Sequence, residues 1–191
     1  MRRPAGFVLV GGRSRRMGTD KALLRHRGGR TLVECIAERL ASVCEGVALI
    51  GPAERYRHLH LPVLADAIAE RGPAGGVLAA LRHGAEWNLI VACDMPGVCE
   101  DLFLRLIGRA RAADVDCVVP ITAEGQEHPL CALYSERCRD GWEQAMAEGL
   151  NKIGQIVRRF RTARVPVEDE RHLQNLNTLA DWHSYLRSAG K

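Results

Sequence analysis

Aromatic side chains are scarce. Trp, Tyr and Phe together make 5% of the 191 residues, too few for the stacking platforms that grip single-stranded nucleic acid. No Cys-x-x-Cys pair occurs among the seven cysteines at positions 35, 44, 93, 99, 117, 131 and 138, and their number is odd. Such spacing supports neither a zinc site nor a disulfide framework. Buried reduced thiols are the plainer reading, and they point to a reducing compartment. No apolar run approaches a membrane span. The start, Met1-Arg2-Arg3-Pro4, leads into an apolar stretch too short for a signal peptide and followed by charge. A cytoplasmic protein is therefore expected. Internal repeats, low-complexity segments and compositional breaks are also lacking, so residues 1–191 are expected to form a single domain.

Two well-known glycine loops are missing as well. Gly12 and Gly18 are one residue too far apart for a P-loop, and Gly18 is followed by Thr19-Asp20-Lys21. The Gly-x-Gly-x-x-Gly spacing of dinucleotide-binding proteins does not occur.

What is present is an ordinary globular balance, 47% hydrophobic and 26% charged, with a net charge of +4 and an arginine-rich first thirty residues. A local basic patch suits a phosphate-bearing small molecule as well as nucleic acid. Within it lies Leu9-Val10-Gly11-Gly12-Arg13-Ser14-Arg15-Arg16-Met17-Gly18-Thr19-Asp20-Lys21, entered from the apolar run Phe7 to Val10. Adjacent glycines let the backbone turn sharply against a ligand. Backbone N–H groups and cationic side chains together make a polyphosphate loop. A basic solvated turn is the competing reading; the glycine pair at a strand end, with Lys21 close behind, favours the phosphate loop.

Downstream, short apolar strands alternate with amphipathic helices. Thr31-Leu32-Val33-Glu34 is a capping box, and Leu32, Val33, Ile36, Ala37, Leu40 and Val43 share one helical face. Val47–Gly51 and residues 62–65 read as strands, the latter ending at Asp66. The alternation predicts an α/β fold with a mostly parallel sheet, whose ligands bind beyond the carboxyl ends of the strands. Gly72-Pro73-Ala74-Gly75-Gly76 reads as a loop before a helix beginning near Val77. Asn88 to Cys93 is a buried strand that delivers Asp94-Met95-Pro96. A carboxylate at such a strand end suits magnesium, which prefers hard oxygen ligands and substrate phosphates. A helix cap is the alternative, but the next helical pattern starts only near Asp101.

Later segments are less specific. His128 to Tyr134 reads as a strand, with His128 more readily structural than catalytic. Helices are expected over 136–149 and 152–160, and a strand over Arg164–Val167. Arg158, Arg159, Arg161 and Arg164 form a second basic run, by default a solvated helix end, with support for an anionic acceptor as the alternative. Asn175-Leu176-Asn177-Thr178 precedes a final helix, where asparagines usually cap.

The long N-terminal pattern, Leu-x-Gly-Gly-x-Ser-x-Arg-Met-Gly-x-Asp-Lys, resembles the signature loop of nucleotidyltransferases with the nucleotide-diphospho-sugar transferase fold, and most of all the molybdenum cofactor guanylyltransferases. The resemblance covers residues 7–96 strongly and 128–181 loosely. It extends to Gly-Pro-x-x-Gly after Asp66 with Ala74 in place of leucine, to Asp94-x-Pro96 as a metal motif, to the His128-Pro129-Leu130 segment bordering the acceptor pocket, and to Asn175-x-Asn177-Thr178. There Leu179 and Ala180 replace the family's Pro-Glu before Asp181.

This resemblance implies a three-layer α/β/α, Rossmann-like sheet. It implies an enzyme that moves GMP from GTP onto the terminal phosphate of molybdopterin or molybdenum-molybdopterin, releasing pyrophosphate. Mg2+ would be the cofactor, held by Asp94. Lys21 and Arg16 would stabilise the transition state. Nucleotide contacts would come from Leu9, Val10, Gly11, Gly12, Ser14, Lys21, Asp66, Gly76, Asp94 and Asn177. Molybdoenzymes or their chaperones would be transient partners, with no nucleic acid or membrane involved. Alternatives in the same fold are a cytidylyltransferase for molybdopterin and a sugar-phosphate or phospholactate nucleotidyltransferase. Outside catalysis, a GTP-binding module without transfer activity remains open, as does a nucleic-acid-binding protein with strongly salt-dependent affinity.

Overall fold

A computed structural model describes residues 2–10, 20–26, 28–67, 71–83 and 85–188. The expected phosphate-loop residues Gly11, Gly12, Ser14 and Arg16 lie outside the described residues. Seven strands run in chain order: β1 (Ala5–Leu9), β2 (Gly46–Ile50), β3 (Val63–Leu64), β4 (Trp87–Ala92), β5 (Cys117–Ile121), β6 (Cys131–Ser135) and β7 (Thr162–Pro166). They form one sheet in the order β3-β2-β1-β4-β6-β5-β7. All neighbours are parallel except β6, which runs antiparallel to both β4 and β5. Seven α-helices accompany them among the described residues: α1 (Leu32–Val43), α2 (Ala53–Tyr56), α3 (Pro73–Arg82), α4 (Glu100–Ala112), α5 (Arg139–Ala147), α6 (Ile153–Val157) and α7 (Leu179–Ser188).

Alternation along the strands builds a core on each face. On β4, Leu89 and Val91 join α1 and α4, while Ile90 joins α3, α5 and α6 on the other face. This is the expected three-layer α/β/α arrangement. The capping box of α1 forms as anticipated: the Thr31 backbone N–H donates to the Glu34 carboxylate at 2.7 Å, and the Glu34 N–H donates to Thr31 Oγ1 at 3.4 Å. All six of the expected apolar positions on α1 are buried.

Three expectations shift. The glycine-rich stretch is not a loop ahead of a helix but the first turn of α3, with Pro73 at its first position; there its missing N–H costs nothing and its fixed φ is already helical. Trp142 on α5 donates its indole N–H to the Ala74 carbonyl at 3.1 Å, tying that turn down. His128 stands ahead of β6 rather than in it, because the Cys131 N–H turns back to the His128 carbonyl at 3.0 Å before pairing begins. The helix expected over 136–149 starts as a 3-10 turn, Glu136–Cys138, capped by Ser135. Among the described residues no helix is long and apolar enough to cross a membrane.

Candidate active site at the strand ends

Register levels the parallel strands so that their carboxyl ends meet. Leu9 pairs with Ile50 on one side and Ala92 on the other. The chain continues each strand by one more bond: Val10 N–H to Ile50 O at 2.9 Å, Gly51 N–H to Leu64 O at 3.0 Å, and Cys93 N–H to Leu9 O at 3.1 Å. Leu9, Val10, Gly51 and Asp94 therefore stand along one edge of the sheet, and Asp66 stands two residues past β3, exposed. Gly76 lies behind that edge. A Cβ there would come 3.0 Å from Leu9 Cδ2, so the bare glycine lets α3 press against the end of β1.

Asp94 sits in the turn that leaves β4. Its Oδ1 is buried and has no hydrogen-bond partner. Burial pushes its carboxyl group above the usual carboxylate range, opposed by the charge of Lys21. An unsatisfied buried carboxylate oxygen is costly unless a ligand completes it. Its surroundings offer no histidine–cysteine cage: no group of three or more His, Cys, Asp or Glu side chains that could enclose a metal occurs among the described residues. One hard oxygen at a strand end, with the remaining positions left to phosphate and water, fits a divalent cation of the hard class.

Lys21 reaches the same place from a 3-10 turn, Lys21–Leu23. Its ammonium donates to the Leu176 carbonyl at 2.6 Å and to Asn177 Oδ1 at 3.3 Å. Leu176 in turn donates its backbone N–H to the Asp94 carbonyl at 2.7 Å. A single buried residue of the C-terminal segment thus connects the cation to the carboxylate-bearing turn. Asn177 is not the helix cap. Thr178 Oγ1 accepts from the Asp181 N–H at 3.1 Å, and the Asp181 carboxylate accepts from the N–H groups of Asn177 and Thr178 at 2.9 and 2.8 Å. That leaves the Asn177 amide for Lys21.

Two residues to which the sequence assigned no role, Asp20 of the quoted loop and Tyr56, set the turn carrying Lys21. Asp20 accepts from the Ala22 N–H at 3.1 Å and from the hydroxyl of Tyr56 at 2.7 Å. Tyr56, on α2, is fully buried; burial and the neighbouring Asp20 carboxylate raise its phenol so that it stays a donor. An aspartate directly before the lysine was a visible hint, but a tyrosine 36 residues away left no local pattern.

Other candidates separate from this cluster. The Cys93 thiol is pushed up to about 12 by burial and by the Asp94 charge, so it remains protonated and offers no thiolate nucleophile. All seven cysteines are free. His128 lies beside the end of β4, where Ala92 N–H donates to Leu130 O at 2.7 Å. Its Nε2 is buried without a partner, and burial lowers its pKa against the opposing charge of Glu170. Three of the four arginines of the second basic run are ion-paired: Arg159 with Glu148 at 2.6 Å, Arg161 with Asp114 and Asp116, and Arg164 with Glu127 at 2.6 Å.

The chain is similar to known proteins over nearly all its length. A family model described as the MobA-like NTP transferase domain matches residues 6–166. A probable molybdenum cofactor guanylyltransferase of Mycobacterium marinum is 35% identical over 189 residues, which is 96% of this chain and 93% of that one. The molybdenum cofactor guanylyltransferase of Rhodopseudomonas palustris is 35% identical over 190 residues, 93% and 88% of the two chains. The crystal structure of molybdopterin-guanine dinucleotide biosynthesis protein A from Archaeoglobus fulgidus superposes with a TM-score of 0.84 at 25% identity, covering 97% of this chain and 98% of that one.

Proposed function

We propose, on the premise that the chain belongs to the MobA-like NTP transferase family and is a nucleotidyltransferase of molybdenum cofactor biosynthesis, that Asp94, Lys21 and Asn177 serve the transfer of GMP from GTP to the terminal phosphate of molybdopterin. Guanylyl transfer is the activity for which the curated relatives are named. Nucleotidyltransferases of this kind use a divalent metal, and here the ion is Mg2+, with Asp94 as its protein ligand.

The observation that carries this reading is the buried, unpartnered Oδ1 of Asp94 in the turn that Leu176 ties to Lys21. The attacking group is a phosphate oxygen of the acceptor, already anionic at neutral pH, so no general base is needed. It forms a bond to the α-phosphorus of GTP while the α–β phosphoanhydride bond breaks, and pyrophosphate leaves with the electron pair. The chain's own task is position and charge. Lys21 faces the phosphates and offsets charge on the leaving pyrophosphate. Asn177 and Leu176 hold its ammonium in place until then. The backbone of Leu9 and Val10, with Gly11, Gly12 and Ser14 beyond the described residues, receives the nucleotide; Arg16, also beyond them, joins Lys21 in stabilising the transition state, and Asp66 meets the base or ribose. Gly76 supports that floor from behind. When bound, magnesium supplies neutralisation of phosphate charge and polarisation at phosphorus. Seven free thiols suit a cytoplasmic setting.

Thermal shift with GTP, CTP, ATP and UTP in the presence of Mg2+ tests the reading, since a ligand that binds only the folded state raises its stability. GTP alone should raise the melting temperature. A shift with CTP instead would move the function to a cytidylyl enzyme, and no shift with any nucleotide would remove the site.

A further inference from the structure

The turn that carries Asp94 has no regular structure from Cys93 to Cys99, yet it must hold a buried carboxylate in one place. Its backbone carbonyls are collected from far away in the sequence. Arg39, on α1, donates through Nη1 to the Pro96 carbonyl at 2.5 Å and to the Val98 carbonyl at 2.9 Å. The Tyr185 hydroxyl, on α7, donates to the same Pro96 carbonyl at 3.0 Å. On the remaining side the turn is pressed against the C-terminal segment: a Cβ on Gly97 would stand 2.1 Å from the Arg171 carbonyl oxygen, so only glycine permits that approach. Arg39 is half-buried, and among the described residues it has no carboxylate within salt-bridge distance. A guanidinium spent on two carbonyls instead of an acid is spent on geometry, because its rigid fork fixes both acceptors relative to one helix.

We propose that Arg39 is a positioning residue for the transfer reaction: by joining the Pro96 and Val98 carbonyls to α1, it holds the turn that sets the Asp94 carboxylate at the end of β4. The inference rests on the reading of Asp94 as the metal ligand. Partners that orient a ligand without touching the metal are commonly worth 10- to 100-fold in affinity or activity. Arg39 does not act by charge here. Among the described residues, the charged group that bears on Asp94 is Lys21.

Arg39→Met keeps the aliphatic stem and removes the donors. Its kcat should fall by about 10-fold or more while KM for GTP stays within about twofold. Independently of activity, hydrogen–deuterium exchange should show the Leu176 amide, whose acceptor is the Asp94 carbonyl, opening about 10-fold faster in the apo variant. Arg39→Lys should recover part of both effects. Should Arg39→Met fail to fold, Arg39→Lys and Tyr185→Phe carry the same test with smaller changes in the same direction. A kcat within twofold of the parent, or unchanged exchange at Leu176, would overturn the positioning role. If the parent itself turns over no GTP, the functional reading fails, and the exchange at Leu176 alone then decides whether Arg39 holds the turn.

Discussion

Two aspartates at opposite edges of the sheet show how this molecule treats charge. Asp116 precedes β5, at the edge where β4 begins; Asp94 follows β4, at the edge where it ends. Asp116 is 14% exposed in its side chain and fully engaged, accepting from Arg161 Nε and Nη2 at 3.0 Å each and facing Arg137 Nε at 3.3 Å. Those partners lower its pKa. Asp94 has a buried oxygen with no partner, and burial raises its pKa. The same residue type is satisfied where it ties the fold together and left with an unpartnered oxygen at the carboxyl end of the parallel strands, where the proposed site lies. Groups perturbed by burial and by a specific charge partner cluster at functional sites.

The largest expected contrast is in turnover. Asp94→Asn is isosteric and should lower pyrophosphate release on the order of 10³-fold, with the circular dichroism of the parent. Asp116→Asn should stay within about twofold of the parent, because it is remote from the reacting groups. Next comes Lys21→Ala, for which the loss should be about 100-fold; an effect within twofold would mean that the ammonium only braces Leu176 and Asn177.

Stability should rank the two aspartates the other way round. Asp116→Asn weakens hydrogen bonds to two half-exposed arginines that both keep Asp114, and should cost about 1 kcal/mol in denaturant unfolding, whereas Asp94→Asn removes the charge from a carboxylate with a buried, unpartnered oxygen and should leave the metal-free protein as stable or more so. The smallest effect is in the pH profile of that stability. Asp116 has a folded pKa below its unfolded value, so its contribution is present above the unfolded value and is lost as pH falls through the folded one. Asp94 has a folded pKa above its unfolded value, so its contribution is lost as pH rises between the two. Subtracting each Asn variant from the metal-free parent across pH 2–7 should give slopes of opposite sign. Equal signs would mean that the two carboxylates are not treated differently.

Much of the β3-β2-β1-β4 half of the sheet was legible in the sequence because its signals are local. The Thr31–Glu34 box, the apolar face of α1 and the run Asn88 to Cys93 each lie within a dozen residues and follow helix or strand period. Strand direction is not a local property, so nothing in Cys131–Ser135 announced that β6 is antiparallel. Pro73 was read as loop chemistry, although proline is equally at home in a first helical turn. The candidate site was legible where chemistry and backbone coincide: Asp94 and Lys21, both singled out in the sequence, are joined through Leu176. It was illegible where support comes from distant elements: Tyr56 on Asp20, Leu176 between Lys21 and Asp94, and Arg39 on the Pro96 turn. These are contacts across 36, 155 and 57 residues, set by packing rather than by any spacing.

The most direct measurement is Mn2+ binding, followed as loss of free-ion signal by electron paramagnetic resonance, in the presence of a GTP analogue whose α–β bond cannot be cleaved. The parent should bind one ion per chain with the nucleotide, and Asp94→Asn should lose that ion while Asp116→Asn keeps it. Equal Mn2+ affinity in the parent and Asp94→Asn would contradict the assignment of the unpartnered carboxylate as the metal's protein ligand.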